Sequence, residues 1–189
     1  MSSGIVKPNM EEQINLVNEQ GNRIGSIAKL EGHERGLLHE AFSIFIFNSA
    51  GELLLQKRAL TKYHSGGLWT NTCCGHPRPE EERKTGAERR LFEELGIRVS
   101  LDEQYHFIYK APLDHGLTEH ELDYVFFGHF DGIPALNPEE AEDWAWMSYE
   151  DLSTDCQQKP ERYTYWLKEI VQDPRFIENM LSYMHKTHL

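Results

Sequence analysis

The residues able to do chemistry concentrate between Asn71 and Ile97. There the chain reads Asn-Thr-Cys-Cys-Gly-His-Pro, then a charged segment ending Arg-Arg-Leu-Phe-Glu-Glu-Leu-Gly-Ile. A thiol beside a histidine and near carboxylates could deliver or take a proton, and a nearby cation would lower its pKa. Neighbouring residues on a strand face opposite sides, so only one of Cys73 and Cys74 can reach a given pocket. Cys74 is the candidate, and Cys73 reads as a small buried hydrophobe. Glu119 and Glu121 alternate in a stretch of strand character and so point the same way. Two such carboxylates repel unless a cation or a shared proton sits between them; a hydrated strand end is the plainer alternative. His33, His39 and His76, from a chain with ten histidines, join or precede tight-turn segments. Imidazole suits Zn2+, Mn2+ or iron and carboxylate suits harder ions, so three His and two Glu could build a five- or six-coordinate site. Their spacing matches no metal motif by itself, and each could be surface or core. Lys29, Arg58, Lys62 and Arg90 could form a basic wall that binds phosphate by charge-assisted hydrogen bonds. Singly, each could equally be solvated. Trp69, Tyr109 and Trp166 are large aromatics near polar loops, or simply core.

These groups need elements to position them. Ala87, Leu91 and Leu95 share one helical face, and Gly96 is a C-terminal stop. Glu80, Glu81 and Glu82 suit the helix start, where the dipole favours carboxylates. Glu94 projects beside Leu91 and Ala87. A carboxylate turned toward the core needs a cation or donors, and Arg90, one turn back, or a metal could supply them. Glu88 also projects near the apolar arc, so a solvated helix laced with ion pairs is the alternative. Ile97 to Val99 reads as the start of a strand. Upstream, Ile14 to Val17 and Ile24 to Ile27 read as short extended pieces around a turn, after a weakly packed lead over residues 1 to 12. Gly32 and Gly36 argue against a stable helix between Lys29 and Leu38. Ala41 to Phe47 and Glu52 to Gln56 predict a hairpin, and Thr61 to Gly67 a loop holding Lys62 and His64. Tyr105 to Lys110, Glu119 to Phe130 and Glu142 to Met147 predict strands, the last at an edge. Tyr149 to Leu152 begins a short helix or turn. From Pro160, Tyr163, Trp166, Leu167, Ile170 and Val171 form one helical stripe. Beyond Pro174, Phe176, Ile177, Met180, Leu181 and Met184 form a second.

A chain of 189 residues can build one core with decorations, and a single domain over 1–189 is expected. The formal net charge of -12 disfavours a general nucleic-acid binder. Three cysteines, two of them adjacent, argue against a disulfide framework and for a reducing compartment. Neither an apolar leader nor a span-length apolar run occurs, so a cytoplasmic protein with no membrane partner is expected. Oligomeric state stays open, with a monomer favoured.

Gly75, five residues, Glu81, seven residues, then Arg89-Arg90-Leu91-Phe92-Glu93-Glu94-Leu95-Gly96-Ile97 resembles the Nudix box. One position departs: Arg90 stands where the box has Glu, which puts diphosphate hydrolysis in doubt. Lys29-Leu30-Glu31-Gly32-His33, Arg58-Ala59-Leu60-Thr61-Lys62, Gly67 to Pro77 and Thr118-Glu119-His120-Glu121 resemble the type 1 isopentenyl-diphosphate isomerases of that superfamily. The resemblance covers roughly Ile14 to Trp166. It implies a Nudix fold of mixed α/β (α+β) class: a mixed β-sheet core over about 38–155, flanking helices, an N-terminal strand extension, and C-terminal helices over about 160–189. It further implies metal ligands His33, His39, His76, Glu119 and Glu121 for Mn2+, Zn2+ or Mg2+. Glu94 would bind Mg2+ with the substrate diphosphate. Lys29, Arg58, Lys62 and Arg90 would hold that diphosphate, with Trp166 against the hydrocarbon. The implied reaction interconverts isopentenyl and dimethylallyl diphosphate. Glu121, helped by Tyr109, would protonate C4 and Cys74 would take a C2 proton. A Nudix diphosphohydrolase and a non-catalytic metal-binding scaffold are the alternatives.

Cys74→Ala is expected to abolish turnover with folding and metal content nearly intact, and Cys73→Ala to be much milder. Steady-state kinetics on both purified variants decides; an essential Cys73 would overturn the assignment.

Overall fold

The computed structural model describes residues 12–188. All of the expected lead except Glu12 lies outside the described residues. The organising strand is β3 (His39–Phe47), every residue of which is buried. Its near-continuous apolar run is what a strand covered on both faces requires. One edge pairs in parallel with β8 (Thr118–His129), from His39 opposite Glu121 to Phe47 opposite His129. The other contacts of β3 come one after another along its length. They are β1 (Gln13–Val17) through Leu16 and His39, β6 (Cys73–Gly75) through Ser43 and Cys74, and β4 (Leu53–Arg58) through Phe47 and Leu53. β2 (Arg23–Ala28) extends β1, and β7 (Asp102–Pro112) pairs with β8. β4 carries β5 (Trp69–Thr70) and β9 (Ala141–Met147). The hairpin expected from Ala41 to Gln56 is β3–β4.

Alternation along β3 divides the core in two. Phe42, Ile44 and Ile46 pack with Ala87, Leu91 and Leu95 of α2 (Arg83–Leu95). Phe45 and Phe47 pack with Leu152 of α3 (Tyr149–Gln158), Leu167 and Ile170 of α4 (Tyr165–Gln172), and Phe176 and Met180 of α5 (Pro174–Thr187). The residues of β3 and β8 that flank this second core toward their N-terminal ends are His39, Ser43, Glu119 and Glu121. The chemistry therefore shares a face with the C-terminal helices. Among the described residues no helix is long and apolar enough to cross a membrane.

Tyr163 is buried with the first C-terminal stripe but is extended and precedes α4, which begins at Tyr165. Three further expectations need correction. Lys29 to Arg35 is helical (α1) despite its glycines. Gly36 ends it in the left-handed region at φ 58° and donates to the carbonyls of Gly32 and His33, a conformation glycine adopts without steric cost. Gly32 lets the helix lie against β1: a Cβ there would sit 2.7 Å from Ile14 Cδ1. Second, Ile97 to Val99 is not a strand. Ile97 and Leu101 are buried in the α2 core, but the segment pairs with nothing and strand geometry begins at Asp102. Third, Leu181 is 59% exposed; Tyr183 takes its place in the buried stripe of α5. Pro174 separates α4 from α5 by opening α5, with Asp173 as its cap.

Leu91 is fully buried between α2 and the sheet. Leu91→Ala should cost ~2–5 kcal/mol through lost burial and the cavity left behind. Urea unfolding monitored by circular dichroism should show this as a lowered midpoint at unchanged slope.

Candidate active site and metal centre

Thr70, Asn71 and Thr72 are wholly buried, and their polar atoms fix the segment that follows. Thr72 Oγ1 donates to the Leu54 carbonyl at 2.6 Å and accepts from the Ile46 amide at 2.9 Å. Asn71 Nδ2 donates to the carbonyls of Ile44 (3.1 Å) and Cys73 (2.7 Å). Trp166 Nε1 donates to Asn71 Oδ1 at 3.1 Å, which ties α4 to this strand. The pleat of β6 then sends Cys73 into the α2 core and brings Cys74 to line a cavity. Burial pushes the Cys74 thiol up to about 12, against the pull of Arg58.

His33 of α1, His39 at the head of β3, His76 after β6, and Glu119 and Glu121 of β8 converge. One ligand atom from each lies within 4.8 Å of all the others, and all five residues are buried. His33 Nδ1 sits 2.6 Å from the Lys29 carbonyl, and His39 Nδ1 2.8 Å from the Leu37 carbonyl. If each Nδ1 carries the proton, Nε2 is left free as a ligand, the usual supporting arrangement of metal-binding histidine. His33 Nε2 reaches Glu119 Oε1 at 3.2 Å, and His76 Nε2 reaches Glu121 Oε1 at 3.0 Å. His39 Nε2, His76 Nδ1 and Glu119 Oε2 are buried without a hydrogen-bond partner among the described residues. Orphaned polar atoms beside buried carboxylates are costly without a compensating cation. The donors, three nitrogens and two carboxylates, fit a divalent metal ion.

Tyr109 Oη donates to Glu121 Oε2 at 2.7 Å. Burial tends to raise the Glu121 pKa, but His39, 3.5 Å away, and the Tyr109 hydrogen bond hold it below the usual carboxylate range.

Lys29, Arg58, Lys62 and Arg90 line one cavity with Cys74, Glu94, Tyr109, Glu121 and Trp166. Three of these cations carry resident carboxylates: Lys29 with Glu12 (3.1 Å), Lys62 with Glu140 (2.5 Å), and Arg90 with Glu94 (2.5 Å) and Glu140 (3.1 Å). Arg58 has none among the described residues. It donates to the His64 carbonyl at 3.2 Å and lies 5.4 Å from the Trp166 ring centroid. Glu94 is buried on the core side of α2 and is also held by Gln56 Nε2 at 2.8 Å. Glu88 stays half-buried at the helix edge. Trp69 packs with the C-terminal helices and does not line the cavity.

Sequence reasoning passed over Glu12, Gln56, Tyr63 and Glu140, and noted His64 only as part of a loop. Tyr63 follows Lys62 in the glycine-rich loop, a local signal that could have found it. Glu140 lies 50 positions beyond Arg90 and carries no local signal.

Lys62 and Arg90 hold the Glu140 carboxyl down at about 2 from its ordinary 4.5, although burial opposes them. The pair therefore contributes stability above about pH 4.5 that is lost as pH falls toward 2. Glu140→Gln is expected to flatten the pH dependence of urea unfolding in that window, and an unchanged slope would contradict the ion pairs.

Residues 37–172 match the NUDIX domain family. Isopentenyl-diphosphate Delta-isomerase 2 of Aromatoleum aromaticum is 51% identical over 158 residues, covering 84% of each chain. Isopentenyl-diphosphate Delta-isomerase of Serratia proteamaculans is 48% identical over 164 residues, covering 87% of this chain and 92% of that protein. A crystal structure from Deinococcus radiodurans superposes with a TM-score of 0.70 at 22% identity, covering 85% of this chain and 98% of the other, a likeness of fold. With a mixed, helix-flanked sheet, a matching domain model and relatives alike over more than four-fifths of its length, this chain belongs to the isopentenyl-diphosphate Delta-isomerase family of NUDIX-domain proteins.

Proposed function

We propose that this protein interconverts isopentenyl diphosphate and dimethylallyl diphosphate, with Cys74 and Glu121 as the proton-transfer groups. The observation that carries the reading is their shared cavity: a half-buried thiol and a Tyr109-linked carboxylate line one pocket with four cations suited to a diphosphate. Lys29, Arg58, Lys62 and Arg90 take the phosphate oxygens. The hydrocarbon lies inward, against Trp166 and between Cys74 and Glu121.

The Glu121 carboxyl donates its proton to C4, and the alkene electron pair becomes the new C–H bond. A tertiary cation develops at C3. The C2–H pair then closes the C2–C3 double bond as that proton passes to the Cys74 thiolate. Hydrogen bonds that stabilise the Glu121 carboxylate make its acid form stronger, as a weakly basic alkene demands. Burial that penalises the Cys74 thiolate makes it a stronger base toward a C–H bond. One turnover leaves carboxylate and thiol, the pair these surroundings favour, so the proton must return from Cys74 to Glu121 before the next. The Trp166 ring face stabilises developing positive charge by ~1–2 kcal/mol when desolvated. Asn71 holds that ring in place, and the packed α4 keeps out water that would trap the cation.

His33, His39, His76, Glu119 and Glu121 would hold an Mn2+, Zn2+ or Mg2+ ion and Glu94 an Mg2+ ion, supplying charge that orients Glu121 and neutralises diphosphate. The hydrolase alternative has no support at the box, because Arg90 fills the place of a carboxylate and is bound to Glu93 and Glu94.

A proton NMR time course with isopentenyl diphosphate, Mg2+ and either Mn2+ or Zn2+ should show dimethylallyl methyl signals growing, and EDTA should stop them. Unchanged substrate with folded, metal-replete protein would sink the isomerase reading.

A further inference from the structure

Among the hydrogen-bond donors that line the cavity, two outside the metal cluster lack a partner among the described residues. Tyr63 Oη and Arg58 Nε are both buried from solvent, and neither has a hydrogen-bond partner among the described residues. Both side chains line the cavity alongside Lys29 and Lys62. Unpaired buried donors are rare because each forgoes its hydrogen bond to water. Donors left open among cations suit a ligand that brings acceptor oxygens and negative charge. Charge already accounts for Arg58 in such a role. The neutral phenol of Tyr63 has no such account.

The Tyr63 ring is held from several sides. Lys29 Nζ lies 5.8 Å from its centroid, and the rings of His33 and His64 meet it edge to face at 6.1 and 4.4 Å. A side chain immobilised before binding loses little further entropy when it takes up a ligand. We propose that Tyr63 is a further substrate-binding residue, its hydroxyl donating to a diphosphate oxygen in the pocket of Arg58 and Lys62. This rests on the isomerase reading for the identity of the anion. The four cations attract charge without strong directionality. A fixed O–H donor adds a preferred orientation for the phosphate and so sets how deep the hydrocarbon end sits. Glu119 Oε2 is a competing acceptor, also unpartnered, and no hydrogen bond joins the two. If the phenol served that carboxylate it would act on the metal centre instead.

Tyr63→Phe keeps the ring and its packing and removes only the hydroxyl. Both proteins would be compared for kcat and KM with isopentenyl diphosphate, for Kd of inorganic diphosphate by calorimetry, and for bound metal. Loss of a hydrogen bond to a charged acceptor should raise KM and Kd about tenfold or more, with kcat within about twofold and metal content unchanged. Unchanged KM and Kd would overturn the proposal. So would a fall in bound metal or kcat with Kd unchanged, which would make Tyr63 a support of the metal centre. If wild type failed to isomerise, the isomerase reading would fall by itself, and the diphosphate Kd comparison would still judge Tyr63.

Discussion

Three imidazoles and two carboxylates buried together are the constraint on which the rest of the molecule depends. Such a cluster is costly in a low-dielectric interior unless its charges and lone pairs are compensated. The compensation within the chain is partial. Backbone carbonyls of Lys29 and Leu37 fix two histidine rings, and Tyr109 and His76 bond Glu121. Three polar atoms of the cluster still lack hydrogen-bond partners among the described residues, a condition a divalent cation would relieve. A divalent ion completing the site would also remove a destabilising feature of the fold, which would couple metal binding to folding.

The parallel pairing of β3 and β8 is what makes the cluster possible. It sets His39 directly opposite Glu121, while β7 sets Tyr109 opposite Glu121 from the other side. A shift of one residue in either register would send these side chains to the α2 face. The large apolar residues of the same strands prevent it. Phe45, Phe47, Val125 and Phe127 have their places under the C-terminal helices, and Phe42, Ile44 and Ile46 have theirs under α2. Hydrophobic burial at one end of the strands thus aligns the ligands at the other.

In the box helix, arginines and carboxylates pair with one another. Arg89 is bound to Glu81, which closes the loop before the helix. Arg90 turns toward the cavity and joins Glu93, Glu94 and Glu140. Arg90 thus places a cation at the cavity wall, with Glu94 buried beside it. The acidic chain thereby keeps a local basic wall, each cation except Arg58 steadied by a carboxylate. The resident carboxylates hold the cations in place, and an anion entering this pocket would have to exchange one set of ion pairs for another.

The sequence by itself determined the elements whose signals are local. The hairpin from Ala41 to Gln56, the α2 face of Ala87, Leu91 and Leu95, the stop at Gly96, and the opposite facing of Cys73 and Cys74 follow from periods of two and 3.6 residues. Short-range chemistry also implied that a core-facing Glu94 needed a cation or donors, from Arg90 or a metal. The fate of Lys29 to Arg35 was not legible: packing of Gly32 against Ile14 and capping by Gly36 outweighed weak helix propensity. Nor did spacing alone reveal that His33, His39, His76, Glu119 and Glu121 meet, since they come from three separate regions of the chain. Resemblance named them, and strand register brought them within 4.8 Å. Glu12 and Glu140 were settled only in three dimensions. Their partners are fixed by loop paths and strand pairing across the sheet, which no pattern along the chain encodes.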